Sequence, residues 1–141
     1  MSSLSRIYQH LSIAESVIAG YDGKQPFHLY LKGYFSANKK HGSKDRKAIK
    51  RFCYLYFRLG NGVSKPLSFS EKISLAIFLC EYQDDAFLQA SDPILSHQIS
   101  ESVESKLQVV EDRFDAQHIF SWTNYLSSQI NVNTWNLSFL Q

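Results

Sequence analysis

"NKKHGSKDRKAIKRFCYLYFRLG", residues 38–60, begins in a turn and stops at a glycine. "KKHGS" supplies the turn residues, Ser43 is a suitable N-cap, and "GNG" after Leu59 ends the pattern. At about 100° per residue, Ala48, Ile49, Phe52, Leu55, Tyr56 and Leu59 share one broad face, with Cys53 at its edge. Lys44, Lys47, Lys50, Arg51 and Arg58 fall opposite, with Tyr54 among them. The spacing predicts an amphipathic helix over residues 43–59. Burying each large apolar side chain contributes roughly 1.5–3 kcal/mol, which holds the basic side on a rigid rod.

The charge is concentrated. Net charge is +2 over 141 residues, yet Lys24 to Arg58 holds ten basic residues and one acid, Asp45, for +9. The remainder has five basic and twelve acidic residues, or −7. Such asymmetry implies a polyanion-binding face on an acidic body. A solvated helix face normally mixes signs, because acid–base pairs one turn apart stabilise it. Here like charges repel, which favours a phosphate-binding role. Lys39, Lys40, Lys44, Lys47, Lys50, Arg51 and Arg58 are the candidate phosphate contacts. Tyr54 is a candidate base-stacking residue, weighed against ordinary packing on another helix. Asp45 lies in the first turn of the helix on its apolar side. A carboxylate there meets the positive end of the helix dipole, so a structural role is expected, held by the helix start or an arginine. Arg46, on the flank of the apolar face, is read the same way. A DNA-reading helix-turn-helix is disfavoured, because the basic side is rich in Lys and poor in Asn, Gln and Arg for base edges.

Around this segment the punctuation is helical. Leu4, Ile7, Tyr8, Leu11, Ala14 and Ile18 predict a helix over residues 4–19, ended by "GYDGK". Pro26 sits at an expected first helical position before "FHLYLKGYFSANK". Gly33 weakens that helix or permits a close contact with a neighbour. "KPLSFSEK" reopens a helix at Ser68 or Ser70, and the uniformly apolar run after it predicts a central buried helix. "DDAFLQ" and "DPILSHQI" read as short helices, the second opening at Pro93 and extending through 100–111. A further short helix is expected over 115–130, with a last helix or extended exit from 132. The expectation is one all-α domain over residues 1–141, with about six or seven helices in two packed groups.

Other chemistry is thin. Cys53 and Cys80 sit in apolar helical patterns, as free thiols of a cytosolic, cytoplasmic protein would. The five histidines are scattered, so no metal site is expected. Asp84 with Asp85, and Glu111 with Asp112, are adjacent on helices and point apart, so they do not converge on a substrate. No run of about 18 apolar residues occurs, so no membrane span is expected. The N-terminus lacks a charged start followed by an apolar stretch, which argues against a signal peptide.

"GSKDRKAIKRFCYLYFRLG", Gly42 to Gly60, resembles a segment shared by N-terminal domains of the Fmu/Sun family of ribosomal RNA cytosine-5 methyltransferases. The matching residues are Gly42, Ser43, Asp45, Arg46, Tyr54 and Arg58. "QPFHLYLKGYF" and "HIFSWTNYLSSQI" look like the second helix and the lead-in of a Bacteroidetes-type branch. The resemblance implies a NusB-like helical fold that docks ribosomal RNA for an S-adenosylmethionine-dependent catalytic domain. Residues 130–141 would be the lead-in to that domain. No glycine-rich cofactor loop and no Pro-Cys motif is present, so neither a cofactor nor methyl transfer is expected of this chain. The alternative is a protein-interaction or antitermination-factor-like module, paired with a protein partner or as a homodimer. Phe87, Trp122, Tyr125 and Trp135 are its candidate surface, since Trp and Tyr often anchor interfaces.

Overall fold

The helices follow from local chemistry at each end. The computed structural model describes residues 3–60 and 66–113, which hold seven α-helices and no strand. They are α1 (Ser3–Ala19), α2 (Phe27–Ala37), α3 (Ser43–Leu59), α4 (Phe69–Cys80), α5 (Ala86–Ser91), α6 (Pro93–His97) and α7 (Val103–Arg113). The expected all-α class is therefore what the chain adopts. The helix expected over 115–130 and the lead-in at 130–141 lie outside the described residues. Among the described residues, no helix is long and apolar enough to cross a membrane.

The chain divides into two compact units, Met1–Phe57 and Arg58–Gln141. The division separates charge. The first unit carries ten basic and three acidic residues, +7, and the second five basic and ten acidic, −5.

In the first unit, α1 buries Leu11, Ala14 and Val17, α2 buries Leu31, and α3 buries Ile49, Phe52, Cys53 and Leu55. Cys53, placed at the edge of the apolar face by the wheel, is fully buried. After α1 the chain turns at Gly20, whose N–H donates to the Ser16 and Val17 carbonyls. A side chain at Gly20 would press on the Tyr30 hydroxyl, 2.9 Å from an added Cβ. That hydroxyl donates to the Val17 carbonyl at 2.8 Å and ties α2 to the end of α1. Of the two readings of Gly33, a close contact with a neighbour is not the one the structure shows. An added Cβ at Gly33 would meet nothing within 4 Å.

Two helix starts shift by one residue. Pro26 is the N-cap of α2 rather than its first residue, its carbonyl accepting from Leu29 and Tyr30 N–H. At α3 the Arg46 N–H donates to the Gly42 carbonyl at 2.9 Å, so Gly42 stands where Ser43 was expected to cap.

In the second unit, Ser68 caps α4 through a reciprocal pair: Glu71 N–H donates to Ser68 Oγ, and Ser68 N–H to the Glu71 carboxylate. Every residue from Ile73 to Leu79 is buried, as an all-round apolar helix requires. It packs against α5 and α7, and α5 against α6. The buried Ser74 hydroxyl is satisfied by the Ser70 carbonyl and Ser91 Oγ. Asp85 and Asp92 cap α5 and α6. Residues 103–113 form their own helix rather than extending α6, because Ser102 Oγ accepts the Ser105 N–H and starts α7 afresh.

Candidate nucleic-acid interface

α3 carries its basic residues opposite its buried ones. Lys44, Arg46, Lys47 and Lys50 are exposed, and Arg51, Tyr54 and Arg58 are half-buried. Tyr54 sits with its ring 6.2 Å from that of Phe27, edge-on, and the Lys50 ammonium lies 6.0 Å from the Tyr54 ring centre. Burial, and secondarily Cys53, raises the Tyr54 phenol above its ordinary range. Tyr54 is thus packed against a ring and within reach of a cation.

Lys39 and Lys40 are exposed on the turn between α2 and α3. Both ends of that turn are fixed to Tyr34. Asn38 Nδ2 donates to the Tyr34 carbonyl, and the buried His41 holds the Tyr34 hydroxyl at 3.1 Å. The His41 ring also stacks on Tyr34, with centroids 5.8 Å apart. The two lysines are therefore presented on an anchored turn. His41 was not marked by the sequence reading, because its partner lies on the preceding helix and the pair has no local signature.

The start of α3 is fixed by Asp45. Its Oδ2 accepts the Gly42 N–H at 3.3 Å, and its Oδ1 lies 2.8 Å from Nε2 of the buried His10 on α1. Asp45 thus bonds to the helix start and to a histidine on α1, rather than to an arginine. Arg6 adds a weak electrostatic effect. The His10 hydrogen bond, then the Gly42 N–H, hold the Asp45 carboxyl below the usual carboxylate range. A depressed carboxylate contributes stability that is present above its unfolded pKa, about 3.9, and lost as pH falls through the folded value. Asp45→Asn is therefore expected to lower stability at neutral pH and to make acid unfolding less steep. Urea midpoints measured from pH 6 to pH 2.5 check this. An unchanged acid limb would show that the pair carries no proton linkage.

The thiols are unsuited to nucleophilic work. Burial pushes Cys53 up to about 12 and raises Cys80 as well, and the thiolate is the reactive form. Among the described residues no group of three His, Cys, Asp or Glu side chains could hold a metal ion. Phe87 is corrected as a surface anchor. It is 1 % exposed in the core of the second unit, because it opens α5 against α4. Trp122, Tyr125 and Trp135 lie outside the described residues.

Neither a family model, a curated protein nor a solved structure matches the chain.

Proposed function

We propose that this chain is an RNA-binding domain whose interface is the basic side of α3 together with the Lys39–Lys40 turn. One observation carries the reading: Lys44, Lys47 and Lys50 are all exposed on a helix whose opposite side is buried, with no acid among them. A rigid row of like charge is costly to a free surface and favourable beside phosphates. Asp45, the acid of this helix, is turned to His10 and Gly42. The resemblance of Gly42–Gly60 to the Fmu/Sun N-terminal segment supports ribosomal RNA as the target. On that reading the domain docks RNA for a cytosine-5 methyltransferase domain.

The test is salt dependence. Six phosphate contacts would give a slope of about −4 to −5 in log K against log salt for binding to an RNA hairpin. Fluorescence anisotropy between 50 and 300 mM KCl measures it. An affinity insensitive to salt would rule the interface out.

A further inference from the structure

Beside the basic residues of α3, the first unit gathers a cluster of aromatic rings. Phe57 lies one turn beyond Tyr54 on the same side of the helix and is 37 % exposed. Its centroid is 4.7 Å from Phe27 and 6.2 Å from Tyr21, both near edge-on. Tyr30 joins the same cluster, 5.7 Å from Phe27 and 5.1 Å from Tyr21. Leu29, on α2, is 46 % exposed. Tyr56 also meets the Phe57 ring edge-on, with centroids 5.3 Å apart, so ring contacts hold Phe57 while the residue stays exposed.

The order along α3 is what makes this more than a surface ring. Lys47, Lys50, Tyr54 and Phe57 follow one another at intervals of three or four residues, so they form one stripe. The rise of about 1.5 Å per residue puts the two ammonium-bearing residues roughly 10–15 Å before Phe57 along the axis. Cations that track a backbone, followed by a fixed ring, are the parts of a single-strand site: every base has a face to stack, while a duplex keeps its faces covered.

We infer that the stripe takes unpaired RNA, with a base stacked on Phe57 and the flanking phosphates on Lys47 and Lys50. The inference rests on the RNA-binding reading and names the form of RNA. Tyr54, packed edge-on against Phe27 and approached by Lys50, serves as a wall of the site rather than its stacking face.

The experiment compares a fluorescein-labelled 12-nucleotide oligo-U with a blunt 12-base-pair RNA duplex, both titrated with the full chain. Phe57→Ala is expected to weaken oligo-U binding about tenfold, within the range that removal of a base-stacking aromatic produces. Duplex binding should change less than twofold, and the salt slope should stay constant. Phe57→Leu keeps apolar packing against Phe27 without a π face and should show the same selective loss, which covers the case in which the alanine variant does not fold. Equal weakening on both ligands, or no weakening on oligo-U with either folded variant, overturns the stacking role and leaves the RNA reading standing. A wild-type chain that binds neither ligand overturns both.

Discussion

Lys47→Glu with Lys50→Glu is expected to reduce RNA affinity by about 100-fold or more at 0.1 M salt while leaving the fold intact. The size follows from counterion release. With a slope near 0.7 per phosphate contact on a single strand, each contact contributes about fivefold between 0.1 M and 1 M salt. Losing two contacts then costs roughly 25-fold, and the new carboxylates repel the same phosphates, which adds to the loss. The salt slope should also flatten by about 1.5. Both side chains are exposed on α3, so their direct effect on stability should stay within about 0.5 kcal/mol. Reversal near Lys44 and Arg51 even relieves like-charge repulsion one turn apart. The signature is therefore a large loss of affinity with an unchanged or slightly raised melting temperature. The half-buried Arg51 is a poorer choice for this test, because reversing it also disturbs packing. A loss of under threefold would place the RNA elsewhere on the molecule.

The pair Lys47 and Lys50 was legible because helical period is a local property: the wheel separates them from Ile49 and Phe52 without knowledge of any partner. The same is true of α4, where seven successive apolar or small residues leave no polar side to expose, and Ser68 with Glu71 marks the start. Errors at Pro26 and Ser43 were of one residue, since a cap is defined by which carbonyl accepts the first helical bond. What the sequence could not show are contacts between helices. His10 and Asp45 are 35 positions apart, and only the crossing of α1 and α3 brings them together. His10 adjoins Leu11 on the buried side of α1, a faint sign that it was not solvated. Phe87 misled for the same reason. An aromatic in an acidic stretch looks like a surface anchor until the short helix bearing it is seen to pack on α4. The Phe57 site lay between these cases. Its place on the helix was readable, but its exposure depends on how Phe27 and Tyr21 fold around it.

Lys106 was the least legible residue, and its replacement carries the second large effect. On α7, with acids nearby, it reads as a solvated charge. It is 0 % exposed, drawn in as α7 packs on α4. Its Nζ donates to the Glu81 carbonyl at 2.6 Å, at the C-terminal end of α4, and lies 3.9 Å from the Tyr82 ring centre and 5.5 Å from that of Phe78. Burial lowers its pKa to about 8, against Cys80 and Glu81, which raise it. The folded state thus releases this proton before the unfolded state does. For such a group stability rises with pH between the folded value, about 8, and the unfolded one, about 10.4. The full swing is on the order of 3 kcal/mol. Cys53 opposes it: with its thiol held at about 12, stability falls as pH climbs above the ordinary thiol range, about 8.5. Cys80, raised by burial as well, acts in the same direction as Cys53, so the Lys106 contribution is read as a difference between variant and wild type. Lys106→Met keeps the apolar stem and removes both the hydrogen bond and the buried charge. Near pH 7 these offset, and the variant should be about as stable as the wild type or slightly more so. By pH 10.5 it should be less stable by an amount approaching 3 kcal/mol relative to its standing at pH 7. Lys106→Ala, which also leaves a cavity, should be destabilised by about 3 kcal/mol already at pH 7. Urea unfolding of the three proteins at pH 7 and 10.5 separates these outcomes. Parallel curves for wild type and Lys106→Met would mean that the ammonium stays hydrated, and that the cap on α4 is made by packing alone.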